Sequence, residues 1–242
     1  MNKLPVVTKN LLAINVVMFF ATIVAERNGI DLSNILGLHF FESSEFYPFQ
    51  LVTYMFMHSG VGHLFFNMFA LYMFGRTLEY VWGPKRFLTY YIIAGIGAGV
   101  VQEVVGAIRC FPLMNELDPQ ALEIVMNEGA NILRQGMNYI NPEMAKLNIA
   151  LNSLTVGASG AVYAILLGFG MLFPNERMFI FPLPFPIKAK FFVIGYALIE
   201  LYMGTVGVAD SVAHFAHLGG MLFGFVLILF WRKKGEIGGP YV

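Results

Sequence analysis

Six apolar stretches recur along this chain, at 10–25, 60–78, 87–107, 154–173, 191–204 and 211–231. A backbone in hydrocarbon must satisfy its own polar groups, so runs of about 20 apolar residues become spanning helices. The shorter runs here borrow flanking semi-polar residues or sit in a locally thinned bilayer. Composition agrees, with 57% hydrophobic and only 12% charged residues among 242, against about 25% charged in a soluble domain. The fold class this predicts is an all-α membrane protein, a single domain over 1–242 without internal repeat or low-complexity tract.

Fifteen Lys/Arg balance fifteen Asp/Glu, a zero net charge that gives no hint of nucleic acid. Where the cations sit matters more. Only Arg27, Arg109, Arg134 and Lys146 fall in the loops between spans one and two, three and four, or five and six. The positive-inside rule then puts both termini in the cytoplasm. Lys3 and Lys9 precede the first span with no small-residue cleavage site after it, which reads as a retained signal anchor. Compactness and the lack of a transit-type presequence point to a bacterial plasma membrane. Cys110 is the single cysteine, which excludes an intramolecular disulfide and any multi-cysteine metal cluster.

Two outer loops are long. Glu26 to Met57 mixes acids with Phe40, Phe41, Phe46, Tyr47 and Phe49, a pattern suited to the headgroup region. Arg109 to Asn152 contains Asp118-Pro119, an N-cap followed by a first-turn proline, which predicts an amphipathic helix to about Gln135. Asn141-Pro142-Glu143 caps a second helix by the same logic.

Polar side chains inside spans are costly and mark functional sites by default. They are His58, His63, Asn67, Glu79, Glu103, Ser159, Glu200, His214 and His217. Glu79 lies beside Arg76, Lys85 and Arg86 at the cytoplasmic end of span two and reads as a structural ion pair or cap. Glu103 and Glu200, near the outer ends of spans three and five, read as structural too. Ser159 and His217 each lie about six residues into a span that enters from outside, roughly 9 Å deep by helical rise. His63 and Asn67 are one turn apart in the outer half of span two. Four polar groups at one depth on three helices make one site.

The chemistry of such a site is nucleophilic. A serine hydroxyl needs a base within reach, and histidine is the usual one. His214 and His217 both compete for that role by spacing. The Asn67 amide, the His63 ring N–H and the Ser159 backbone N–H are candidate donors to a developing oxyanion. Gly157 and Gly160 let the backbone and a partner helix come close, and His217, Gly220 and Gly224 form a small-residue stripe that suits such packing. No His-Glu-x-x-His helix is present, and although His214 and His217 with His58 or His63 offer nitrogens, no carboxylate or cysteine near them completes a familiar metal set. Asp31, Asp118 and Asp210 fall in outer loops, which excludes an aspartyl mechanism. No acid is placed to orient the histidine, so the reading is a Ser–His dyad.

These residues fall into motifs: His58-x4-His63-x3-Asn67, Gly75-Arg76-x2-Glu79, Gly157-x-Ser159-Gly160, and Ala213-His214-x2-His217-x2-Gly220-x3-Gly224. In that order and in those spans, the chain resembles the rhomboid family of intramembrane serine proteases, in its six-span bacterial form. The resemblance implies a six-helix bundle with interfacial helices in the outer loops. It implies Ser159 as nucleophile and His217 as general base, with His214 a supporting neighbour. It further implies His63 and Asn67 as the oxyanion pair, and Tyr163 as a residue that packs on the catalytic histidine's ring and lines the substrate pocket. The implied partners are the lipid bilayer and membrane-protein substrates cut in or near a transmembrane segment; no metal or cofactor is implied. Two departures stand out. Phe49-Gln50 occupies the place of a frequent Trp-Arg, keeping an apolar anchor but losing a charge. The loop between spans three and four is longer, with added helices. Two other classes compete: a catalytically silent binding relative, against which the intact Ser159, His217, His63 and Asn67 argue, and a small transporter, against which the confinement of polar residues to the outer half argues.

Overall fold

The computed structural model describes residues 3–179, 185–206 and 211–237, with the side chains of 211–213 left out of that description. Asp210 and part of the Pro174–Lys190 loop therefore lie outside the described residues. Each of the six apolar stretches is helical over most of its length. The helices in chain order are α1 (Val6–Arg27), α2 (Leu32–Leu36), α3 (Gln50–Thr53), α4 (Val61–Ala70), α5 (Arg76–Trp82), α6 (Pro84–Glu116), α7 (Pro119–Arg134), α8 (Pro142–Asn152), α9 (Ser159–Leu172), α10 (Ala189–Val206) and α11 (Ser211–Lys233). By length and composition, α1, α6, α10 and the 214–233 part of α11 can each cross a membrane. A two-residue antiparallel ribbon, Arg177 opposite Lys188 and Met178 opposite Ile187, sits between α9 and α10.

Three spans differ from their sequence outlines. The second is two helices joined by a π-helical turn, Leu71–Gly75, a widened turn of the kind that re-aims a helix face. The third runs on to Glu116 with Pro112 inside it, so its last turns pack with the helices of the loop that follows. The fourth starts at Ser159, not Leu154. Thr155 instead exchanges both backbone hydrogen bonds with Leu38, each 2.9 Å, and Gly157 N–H donates to the Tyr54 carbonyl at 2.9 Å. The extended segment before the serine is thus sewn to the first outer loop. Fourteen helical residues rise about 21 Å, some 9 Å less than a bilayer core of about 30 Å. Ser159 is the first residue of its helix rather than lying a turn and a half along it.

α9 is the hub. Ten of its fourteen residues are buried, packed between α6 and α11 with Phe87, Tyr90, Tyr91 and Trp82 around its inner half. The stripe on α11 does what small residues allow. A Cβ on Gly220 would lie 2.0 Å from the Gly160 carbonyl oxygen, and one on Gly224 would lie 2.9 Å from the Ala164 Cβ. Tyr90 seals the same contact by donating its hydroxyl to the Ala164 carbonyl at 2.6 Å.

Glu79 proves to be a cap, but of another helix. α1 starts after Pro5 with no side-chain cap of its own. The Glu79 carboxylate accepts from Val7 N at 2.9 Å and from Thr8 N and Oγ1, both at 2.7 Å, so it supplies partners and a negative charge where a helix start wants both. Glu103 accepts from Phe41 N at 2.8 Å.

The outer loops have their own small core of Phe40, Cys110, Val125, Leu147 and Leu151. Asp118 caps α7 and Asn141 caps α8 through pairs of backbone N–H groups, as the sequence predicts. At the Trp-Arg departure, Gln50 is buried. Its Oε1 accepts from His39 N and Tyr47 N, and its Nε2 donates to the Ile35 and Glu45 carbonyls, at 3.0–3.3 Å. The lost charge leaves no gap, because the amide ties four backbone groups of the loop together. Phe49 is not a buried anchor: it is exposed and stacked on Tyr47.

Candidate active site

Ser159 is the first residue of α9, so its backbone N–H is among the donors that a helix start leaves unpaired and points along the positive end of the dipole. The preceding turn depends on Gly157, whose φ of 130° is in the region closed to most side chains. A Cβ there would also lie 2.7 Å from His63 Cε1, 2.8 Å from His63 Nε2 and 3.4 Å from Ser159 Oγ. The absent side chain leaves a small space faced by both the serine oxygen and the histidine nitrogen.

α11 brings His217 to the serine, with Nε2 2.8 Å from Ser159 Oγ. His214, one turn earlier, does not reach the serine; its Nδ1 is 2.5 Å from Glu200 Oε2. Geometry thus separates two histidines that spacing left equal. Tyr163 stacks on His217 almost in parallel, centroids 4.2 Å apart and planes at 6°.

The expectation that no acid is placed beside the histidine needs correcting. Glu200, set aside as structural on the sequence, turns its buried carboxylate into the site. Oε2 lies 3.1 Å from His217 Nδ1 and 2.5 Å from His214 Nδ1, and Oε1 accepts the Tyr163 hydroxyl. The expectation that no carboxylate joins the histidines fails with it, since one ligand atom each from Glu200, His214 and His217 lies within 4.8 Å of the others. Glu200 stands six residues before the end of α10 and His217 six after the start of α11, so an antiparallel pair puts them at one depth.

His63 and Asn67 lie on α4. Ser59 N–H donates to His63 Nδ1 at 3.3 Å, and the Ser59 hydroxyl is 3.1 Å from the same atom. A backbone N–H can only donate, so Nδ1 accepts and the neutral ring carries its proton on Nε2, the atom facing the Gly157 space. Asn67 is buried, and its Nδ2 donates to the His63 carbonyl at 2.9 Å, leaving the second amide N–H to give. His58 precedes α4 rather than lying in it and packs its ring edge on His63 at 5.1 Å. Gly220 contributes through the α9–α11 contact described above.

The fold thus brings a helix-borne serine against a histidine inside a bundle of apolar helices. The Rhomboid domain model matches residues 45–111 and 130–234, and the chain belongs to the rhomboid family. The unmatched 112–129 covers the end of α6 and most of α7. An uncharacterized mitochondrial rhomboid protein of Schizosaccharomyces pombe is 29% identical over 211 residues, 76% of this chain and 52% of that protein. The mitochondrial Rhomboid protein 1 of Saccharomyces cerevisiae is 28% identical over 192 residues, 77% of this chain and 43% of that protein. Rhomboid protease GluP of Bacillus subtilis is 31% identical over 108 residues, 43% of this chain and 21% of that protein. The chain spans about half the length of these relatives or less. Two of the three are mitochondrial, so they support neither a bacterial plasma membrane nor the six-span bacterial form. What stands is a multi-pass integral membrane protein.

Proposed function

We propose that this chain is an intramembrane serine protease that hydrolyses peptide bonds in or near transmembrane segments of membrane proteins. The observation that carries the reading is the 2.8 Å contact between His217 Nε2 and Ser159 Oγ in a rhomboid chain. A relative named as a protease supports it.

Ser159 Oγ attacks the scissile carbonyl carbon while its proton passes to His217 Nε2. The carbonyl π pair moves onto oxygen, and the oxyanion forms in the space beside Gly157. His63 Nε2–H, the free Asn67 amide N–H and the Ser159 backbone N–H are its donors. Collapse of the intermediate breaks the C–N bond, and His217 gives its proton to the leaving amine. Water then attacks the acyl-enzyme with His217 as base and restores the serine. The site is at the outer end of α9, where water enters from the outer face and substrate from the bilayer; both termini are cytoplasmic in this orientation.

Purified protein in liposomes, given a model transmembrane substrate with small residues near its outer end, tests the reading. Wild type cleaves and is labelled by a serine-directed fluorophosphonate, and Ser159→Ala and His217→Ala do neither. A folded wild type that neither labels nor cleaves would overturn the proposal in favour of a binding role.

A further inference from the structure

We infer that Glu200 is a positioning residue for His217, making the site a Ser159–His217–Glu200 triad rather than a dyad; this rests on the protease reading above. Val193, Glu200 and Gly204 share the buried face of α10, where an apolar side chain is the rule. An unpaired carboxylate there would be costly, and this one is met by donors from Tyr163, His214 and His217.

Two of those contacts converge on one imidazole. Oε2 faces His217 Nδ1, which fixes the proton on that nitrogen and leaves the Nε2 lone pair aimed at Ser159 Oγ. Oε1 holds the hydroxyl of Tyr163, whose ring lies flat on the same imidazole. A single carboxylate therefore sets both the tautomer and the plane of His217. During attack the Ser159 proton goes to Nε2 and the Nδ1 proton stays in place, so the imidazolium forms against a carboxylate that remains ionised. The His214 Nδ1–H shares Oε2 and limits the carboxylate's swing.

The test compares wild type, Ser159→Ala, Glu200→Gln and Glu200→Asp in liposomes, with kcat and KM measured separately and fluorophosphonate labelling timed. Glu200→Gln is expected to lower kcat by about 10²–10⁴-fold, the loss that a tautomer error brings to a triad, with KM unchanged. Glu200→Asp, which keeps the charge, recovers part of that loss. Nitrogen-15 NMR of labelled histidine shows His217 as the Nδ1–H tautomer in wild type and a mixture in Glu200→Gln. A folded Glu200→Gln within about threefold of wild-type kcat, the worth of a minor hydrogen bond, overturns the inference, as does a change in KM alone. If the glutamine variant does not fold, the wild-type tautomer decides, and an Nε2–H ring overturns it. Activity lost to a chelator and restored by zinc overturns it too, because the three atoms would then be serving a cation. An active Ser159→Ala sinks the protease reading itself; an inactive Ser159→Ala beside a fully active Glu200→Gln sinks only the role of Glu200.

Discussion

Gly220 touches Gly160 so closely that a Cβ on it would sit 2.0 Å from the Gly160 carbonyl oxygen and 2.6 Å from the carbonyl carbon. The obstacle is backbone, which cannot rotate away as a side-chain tip can. Since Gly160 follows Ser159 and Gly220 lies one turn after His217, the glycine pair fixes the distance between the two reacting groups. Gly220→Ala must push α11 outward. Overpacking of this kind costs about 1–3 kcal/mol, and a shift of about 1 Å in reacting groups costs about 100-fold in rate. Fluorophosphonate labelling should fall by that order while the melting temperature in detergent drops by only a few degrees. Labelling at the wild-type rate would show that the helices separate elsewhere.

Tyr163 makes two separable contributions, a ring on His217 and a hydroxyl on Glu200. Tyr163→Phe keeps the first and removes the second, and one net hydrogen bond is worth about 0.5–1.5 kcal/mol. The measured kcat should fall about 3–10-fold, and Tyr163→Ala should fall further because the stacked plane goes as well. Equal activities for the two variants would mean the ring stacking contributes nothing.

The helices under the apolar stretches were legible because apolar length is a one-dimensional signal. The caps of α7 and α8 were legible because Asp118-Pro119 and Asn141-Pro142 act within their own turn. Glu200 was not, because its partners are 14 and 17 residues away on the next helix. The signal that could have found it is its isolation: a lone acid between Ala197-Leu198-Ile199 and Leu201 is expensive in a bilayer, and folding α10 against α11 puts it level with the histidines. The start of α9 was missed for a different reason. Residues 154–158 are apolar enough to read as helix, and only the pairing of Thr155 with Leu38 holds them extended. Gln50 likewise looked like a loss of charge, since the four backbone groups it ties belong to a loop whose path no local pattern reveals.

Gln50→Leu keeps most of the volume and removes all four of those hydrogen bonds. Leaving buried backbone groups unpaired costs about 1–3 kcal/mol each where water cannot reach them, so the first outer loop should loosen as a unit. Hydrogen exchange at 35–50 should speed up markedly, and cleavage should weaken because the loop carries Leu38, the partner of the strand before Ser159. Unchanged exchange in that segment would show the loop is held by its apolar contacts alone.

Among the ties that hold the added helices is an ion pair whose pH response has a definite sign. Arg134 at the end of α7 donates to both oxygens of Glu45 at 2.9 Å. Burial alone would raise the Glu45 carboxyl, but the Asn34 amide, the Arg134 hydrogen bonds and charge and the His39 charge together hold it below its ordinary value. A carboxyl depressed in the folded state stabilises the fold above its unfolded value, and that contribution fades as pH falls through the folded one. The tether should therefore hold at neutral pH and loosen only in acid, below the ordinary carboxylate range. A partly exposed pair of this kind is worth about 0.2–1 kcal/mol, enough to change local opening of α7 but not the global fold. Limited proteolysis at 119–136 should quicken in acid for wild type, whereas Arg134→Gln should be cut at the faster rate already at neutral pH. A variant as resistant as wild type at neutral pH would assign the anchoring of α7 to the Phe40–Val125–Leu147 core instead.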